Sequence, residues 1–243
     1  MYILHEGPSQ LDGSQIVVIG TKRSTNVKTG DMSQIWILPY SLDPLAALKA
    51  SQNAGICGDC PLQGVFDPQT SKIQGRTCYV TLHHAPLSIW KAWKRGSYTR
   101  PTPKGVRKFF QGATTRLGAY GDPAAIPTNL LEDWVRFSSG HTGYTHQIWT
   151  QNPERAERLA QILMVSTETE TQRKLAQSHG WRTFHVHPEG SAIPTNDIAC
   201  PHYTHNVQCT DCLLCGGSHQ NARSIAVESH GVGRVHLPQI AAA

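Results

Sequence analysis

Cys209, Cys212 and Cys215 stand three residues apart in the run CTDCLLCGG, and Cys200 lies nine residues upstream. A CxxC puts two thiols on one turn, where both can reach one metal. CxxCxxC puts three around one centre. A second set comes earlier: Cys57 and Cys60 form a CxxC, and Cys78 follows. A disulfide scaffold, a zinc knot and an iron–sulfur cluster all use such patterns. Seven is an odd number of cysteines, so complete internal pairing is impossible. The opening MYILHEGPSQ has no basic region followed by a long apolar stretch, so no secretory signal is expected. No apolar run approaches the roughly 20 residues that span a bilayer. The expectation is a cytoplasmic protein with no membrane partner, in a compartment where thiols stay reduced.

Zinc and iron–sulfur then compete. A structural zinc knuckle takes four tetrahedral ligands from two hairpins, usually as two CxxC pairs or a CxxC with HxxxH. The second group here is asymmetric, one distant cysteine and then a close triplet, as in clusters of four irons. Cys200 is followed by Pro201, the dipeptide seen at the remote ligand of ferredoxin-type runs, and Cys60-Pro61 repeats it. The expected cofactors are one or two [4Fe-4S] clusters, with zinc as the alternative. Cys200, Cys209, Cys212 and Cys215 can complete one centre. Cys57, Cys60 and Cys78 supply three thiolates, which leaves an exchangeable iron, a recruited histidine or a site shared between the groups. Histidine is abundant, at 13. His185, His187, His202 and His205 read individually as surface or hydrogen-bonded residues rather than ligands.

What must position these residues is a series of strand-like runs followed by helix-like runs. QIVVIGTK (15–22), QIWILPY (34–40), TCYVTL (77–82), TTRLGAY (114–120), GYTHQIW (143–149), ILMVST (162–167), WRTFHV (181–186) and SIAV (224–227) read as strands. Between them, Asp43-Pro44 and Asn152-Pro153 read as helix caps with a first-turn proline. PLSIWKAWKR reads as a helix. Leu130, Leu131, Trp134 and Val135 share one helical face, and Thr167 with Glu170 has capping-box spacing. Alternating units with short loops predict a single α/β domain over 1–243, a partial or complete (β/α) barrel-like sheet with outer helices. Cysteine-rich insertions fall at about 55–78 and 198–220. An open doubly wound sheet is the rival. No GxGxxG follows the first strand and no GxxxxGK[ST] occurs, so dinucleotide and nucleotide triphosphate sites are unsupported.

Two further stretches are chemical candidates. In GAYGDP, Gly118 and Gly121 allow close backbone approach to a ligand, and Asp122 can accept from an amine or a ribose. The structural reading is a strand-to-helix connection capped by Asp122, with Pro123 first in the helix. His146, Gln147, Ser166 and Thr167 would face the same rim of a parallel sheet. The stretch 90–110 interleaves Lys94, Arg95, Arg100, Lys104 and Arg107 with Trp90, Trp93, Tyr98, Phe109 and Phe110. Cations hold phosphates and aromatic faces stack on bases, which makes a nucleic-acid surface. The alternative is an amphipathic helix with its tryptophans in the core, then a solvated proline-rich loop. The formal charge of +5 is too modest to decide.

RLGAYGDPAAIP, GYTHQIW, GWRTFHV and CTDCLLCGG, with SIWKAWKRGSY upstream, resemble a family of phage- and plasmid-encoded proteins of unknown function. The resemblance covers the chain from about residue 34 onward and implies a mobile-element setting. Cys57, Cys60, Cys78 and the GAYGDP loop also resemble, in part, radical S-adenosylmethionine enzymes. That implies a partial barrel, a three-cysteine cluster with an open iron and a glycine-rich acidic motif. The departure is that Cys78 lies far from Cys60, whereas that family's CxxxCxxC occupies one loop. The expected function is an iron–sulfur protein, as a redox or radical-type enzyme acting on an unknown small molecule or redox partner. The alternative is a non-enzymatic iron–sulfur or zinc-stabilised module that binds nucleic acid or protein.

Overall fold

The structure is a computed structural model and describes residues 1–147, 152–218 and 221–230. The chain opens with three strands, β1 (Tyr2–Pro8), β2 (Gln15–Thr21) and β3 (Ser33–Pro39). Two short helices follow, α1 (Pro44–Lys49) and α2 (Ala54–Cys57), then a small hairpin, β4 (Val65–Asp67) and β5 (Lys72–Gln74). Next come α3 (Ala85–Lys94), α4 (Pro103–Phe110), β6 (Thr114–Tyr120), α5 (Thr128–Phe137), β7 (Gly140–Thr145) and α6 (Pro153–Ala160). The described chain closes with β8 (Met164–Thr167), α7 (Glu170–Ser178), β9 (Thr183–His187), β10 (Ile198–Ala199), α8 (Pro201–His205), α9 (Cys209–Cys212) and β11 (Ile225–Glu228).

Nine strands form one sheet in the order β1-β2-β3-β6-β7-β8-β9-β11-β10. β1, β2 and β3 pair antiparallel, and every pairing from β3 to β10 is parallel. From β3 to β9 each parallel strand lies beside its predecessor in the chain. That is the progression of a singly wound sheet, where a doubly wound one would reverse. The edge strands β1 and β10 are not paired to each other among the described residues, so the sheet is open in its hydrogen bonding. No helix among them is long and apolar enough to cross a membrane.

Local chemistry explains most boundaries. Asp43 accepts from the backbone N–H groups of Leu45 and Ala46, and Asn152 from that of Arg155; in both helices proline takes the first position, where no N–H is needed. The capping box belongs to Thr169 and Gln172, two residues beyond the expected pair. Thr167 stays in β8, its hydroxyl 3.1 Å from His185 Nδ1. TCYVTL is not a strand. Its β-branched residues suggested one, but the N–H groups of Thr77 and Cys78 both donate to Leu62 O and leave no ladder to form. The strand expected over 143–149 is β7, starting three residues earlier; its expected end at Ile148 and Trp149 lies outside the described residues. The expected proline-rich loop contains α4, capped by Thr102.

The main core lies between the early strands and the helices over them. Ile16 to Ile19 are fully buried, so β2 is covered on both faces. Gly20 is required there: a Cβ would sit 2.7 Å from Leu4 Cδ1 and 2.9 Å from Phe109 Cζ. Phe110 is fully buried and stacks on Trp134 with centroids 5.2 Å apart, joining α4 to α5. Truncating it would forfeit that contact and leave a cavity. Phe110→Ala should therefore cost about 3–5 kcal/mol in urea unfolding. Lys104→Ala, at an exposed position of the same helix, should stay within about 0.5 kcal/mol of the parent.

Candidate metal centres

All seven cysteines are free. Cys57 ends α2, and the N–H of Cys60 returns to Cys57 O at 3.1 Å, which folds the CxxC into one turn. Cys60 precedes Pro61, which starts a 3-10 turn over Pro61–Gln63. The chain then leaves through the β4–β5 hairpin and comes back. On its return Thr77 N and Cys78 N donate to Leu62 O at 3.1 and 2.9 Å. The hairpin is thus what carries Cys78 to the CxxC. Asn53 hydrogen-bonds the Cys57 thiol, and the Val80 N–H that of Cys78. Burial pushes the Cys57 thiol well up, and the charges of Cys60, Cys78 and Asp122 add to it. Burial also raises Cys78, opposed by the Arg76 guanidinium.

Three parallel strands end at this group. Asp122 lies two residues beyond β6 and is buried. Its Oδ1 accepts from Ala124 N. Its Oδ2 accepts from the Thr145 hydroxyl, His146 N and Gln147 Nε2, at 3.0, 2.9 and 3.1 Å. Gln147 Nε2 also reaches Cys57 O at 2.9 Å, and Asp122 N donates to Ile56 O at 2.7 Å. Gly118 and Gly121 have φ of +94° and +79°, and a Cβ on Gly121 would stand 2.7 Å from Ile37 Cβ. The GAYGDP loop is therefore closely packed by protein and its carboxylate fully engaged by protein donors.

His146 follows β7. Its Nε2 lies 2.9 Å from Glu168 Oε1, and the Cys60 thiol acts on its ring from the CxxC side. The Glu168 side chain is 2% exposed and that of His146 15%. Burial works against an imidazolium here, yet Cys60 and Glu168 hold the His146 pKa well above the ordinary histidine value. Beside Cys78, two buried donor atoms have no hydrogen-bond partner among the described residues: Arg76 Nη1 and Thr77 Oγ1. A cleft of about 420 Å³ borders the CxxC loop, lined in part by Asp59, Gln147, Arg155 and Trp181.

The second group is built from other elements. Cys200 follows β10 and precedes Pro201 at the start of α8, with its N–H on Ala226 O at 2.9 Å. Cys209 and Cys212 bound α9, whose first N–H groups donate to Lys28 O and Thr29 O. Leu213 then takes a left-handed conformation that turns the chain toward Cys215. Cys215 O accepts from Gly143 N at 3.0 Å. The Tyr144 hydroxyl hydrogen-bonds the Cys215 thiol, and burial raises that thiol to about 12 in spite of it. The thiol charges that act most on Cys215 are those of Cys200, Cys209 and Cys212, whereas those that act most on Cys57 are Cys60 and Cys78. Cys60, Cys78, Cys200 and Cys215 nonetheless pack on one small apolar cluster with Leu62, Met164, Val186, Ile225 and Val227. Among the described residues no group of three or more His, Cys, Asp or Glu side chains is arranged to hold a metal ion. The thiols are gathered into groups without being closed on a single ion.

The other candidates divide. Lys94, Arg95, Arg100, Lys104 and Arg107 are exposed, but Trp93, Tyr98, Phe109 and Phe110 are buried in the main core. Trp90 Nε1 is bonded to Pro39 O. Lys94 lies over the rings of Tyr40, Trp90 and Trp93, Arg100 pairs with Glu6, and Arg107 covers Phe137. The interleaving reflects an amphipathic pair of helices. The His202 ring is bonded to Val207 O and that of His205 to the Thr204 hydroxyl. Sequence reasoning passed over Glu168, Tyr144 and Arg76, which carry no spacing signal.

The chain matches no family model, no curated protein and no solved structure.

Asp122 offers a direct check on the rim. Its Oδ2 faces three donors, so Asp122→Asn would turn an amide N–H toward N–H and O–H groups. The expected cost is about 2–4 kcal/mol of stability, read as a lowered thermal midpoint. Glu154→Gln, on the surface of α6, should leave that midpoint unchanged.

Proposed function

We propose that this chain is an iron–sulfur protein of a phage or other mobile element, with two cysteine-ligated centres in a partial (β/α) barrel. The observation that carries the reading is the sorting of seven free thiols into a three and a four. Each group is assembled by its own loops, and the thiol charges that act most on Cys57 and on Cys215 come from their own groups. Thiolates must be deprotonated to bind metal, and burial alone opposes that in both groups, so a cationic core is the natural partner. The donor set fits iron. A four-iron core is larger than one ion and suits thiols that gather without closing, and its sulfides accept hydrogen bonds such as Arg76 and Thr77 can donate.

The two centres have different positions and therefore different uses. The first lies where β6, β7 and β8 end, the rim on which sheets of this class carry their chemistry, and a cleft large enough for a small molecule adjoins it. A cluster held by three thiolates supplies an electron-transfer centre with one coordination position not filled by cysteine. We assign the enzymatic role, of redox or radical type, to this group. The second has four thiolates and fastens the loop at 28–30 to β7 and β10, a structural or electron-relay position. A non-enzymatic nucleic-acid module is the second reading. The exposed cations favour it, while the burial of the aromatics removes base stacking and leaves phosphate contacts alone.

Anaerobically purified protein should be brown, with a broad band near about 400 nm and matched iron and sulfide at about eight per chain. Colourless protein with stoichiometric zinc and no labile sulfide would establish the zinc-stabilised module instead. Cys57→Ala should lose about half the iron and keep the fold, whereas Cys212→Ala should lower the thermal midpoint as well. For the nucleic-acid reading, Arg95→Ala and Lys104→Ala should each flatten the salt dependence of DNA or RNA binding; an unchanged slope would remove it.

A further inference from the structure

We propose that His146 is the fourth protein ligand of the first cysteine group, bound through Nδ1 and oriented by Glu168. The group would then hold its cluster with three thiolates and one imidazole; this rests on the iron–sulfur reading above.

The argument begins with who else could fill the position. Three thiolates leave one corner of a four-iron core without a protein sulfur. Asp122 is next to Cys57, but both its oxygens are occupied by protein donors. Arg76 is a permanent cation with no lone pair to give. Asn53 is bonded to the Cys57 thiol and Gln147 to the Cys57 carbonyl. His146 remains: the adjacent Gln147 joins it to the CxxC turn, with Nε2 on Cys57 O at 2.9 Å and Oε1 accepting from Asp59 N at 3.3 Å, and the Cys60 thiol acts on its ring.

Its setting is that of a ligand. The backbone is fixed where β7 ends, with His146 N on Asp122 Oδ2 at 2.9 Å. The ring is fixed by Glu168, whose carboxylate lies 2.9 Å from Nε2 and is 2% exposed. Glu168 is itself held by its N–H on Gln172 Oε1 at 3.0 Å, at the head of α7. A histidine that binds metal through one nitrogen regularly donates the other N–H to a carboxylate, which sets the tautomer and increases ligand basicity. With Nε2 on Glu168, the nitrogen left for the thiol side is Nδ1. A buried ion pair alone would account for Glu168 and His146, but not for the ring's placement against Cys60. Exchanging one thiolate for a neutral imidazole makes the centre less negative and raises its reduction potential above an all-thiolate cluster.

The test uses the full-length protein, labelled with ¹⁵N-histidine, purified anaerobically and reduced with dithionite. Pulsed EPR should detect a ¹⁵N coupling from a directly bound histidine. His146→Cys should abolish it, retain iron and sulfide, and lower the potential of one cluster only. Glu168→Gln, which keeps the ligand and weakens its basicity, should keep the coupling and raise that potential. Should His146→Cys fail to fold, Glu168→Gln decides: an unchanged potential overturns the assignment. Iron-loaded protein with no histidine coupling, or a coupling that survives His146→Cys, also overturns it while leaving the iron–sulfur reading intact. Absence of iron and sulfide from the parent protein overturns both.

Discussion

The Asp122 carboxylate takes hydrogen bonds from four protein donors, while its own N–H binds Ile56 O. Through those bonds the end of β6, the end of β7 and the CxxC helix become one piece. A buried carboxylate is stable only when its oxygens are satisfied, so the three segments are held by a strong mutual requirement. Gln147 extends the joint to Cys57 O, and His146 leaves it pointing its ring at Glu168 and Cys60. The placement of the first cysteine group follows from a carboxylate whose two oxygens are both taken by protein donors.

That joint works against an electrostatic cost. Burial raises Cys57, Cys78, Cys209 and Cys215, and neighbouring thiols of the same group raise them further. The protein places partial compensation beside each group. Arg76 opposes the rise at Cys78, Lys28 and Arg116 oppose it at Cys209, and Tyr144 hydrogen-bonds Cys215. None of these cancels the effect of burial. A buried thiol with no partner behaves as a small apolar residue, and ordinary apolar side chains, Leu62, Met164, Val186, Ile225 and Val227, fill the rest of the core around these. Two thiols in each group are raised in this way, and the proposed metal coordination is what would supply the missing positive charge.

The regular part of the fold was legible because its signals are local. Strand runs such as TTRLGAY and caps such as Asp43-Pro44 depend on neighbours a few residues away, and they stand where the sequence placed them. The errors arose where a distant partner decides. TCYVTL has the composition of a strand, but its first N–H groups are taken by Leu62 across the hairpin. The aromatics of 90–110 left two readings open, a stacking surface and an amphipathic helix facing the core, and it is again distant partners, β2 and α5, that give them a core. The division of the cysteines into a three and a four was legible from spacing, but how the loops assemble each group was not, because that depends on which segments the sheet brings together. Glu168 was silent for the same reason: nothing around it in sequence marks a residue whose partner is 22 positions away.

The two groups share one local device and differ in how they are completed. Cys60 and Cys200 have the same backbone angles, φ −56° and ψ 118°, each before a proline that opens a short helical turn. Proline restricts the residue before it to an extended conformation, so the backbone of each cysteine is pre-set by its own sequence. The second group then finishes on a neighbouring loop with the CxxCxxC, where chain continuity supplies three thiols. The first has only two in its turn and must recruit the third through a hairpin and everything else through the sheet. Its geometry therefore depends on the ends of β6, β7 and β8 being in register, whereas that of the second depends mainly on one loop keeping its shape. A group whose geometry is set by the strand ends is the one that a molecule bound at that rim can perturb. For that reason the proposed chemistry is assigned to the group with three cysteines, beside the cleft, rather than to the group with four.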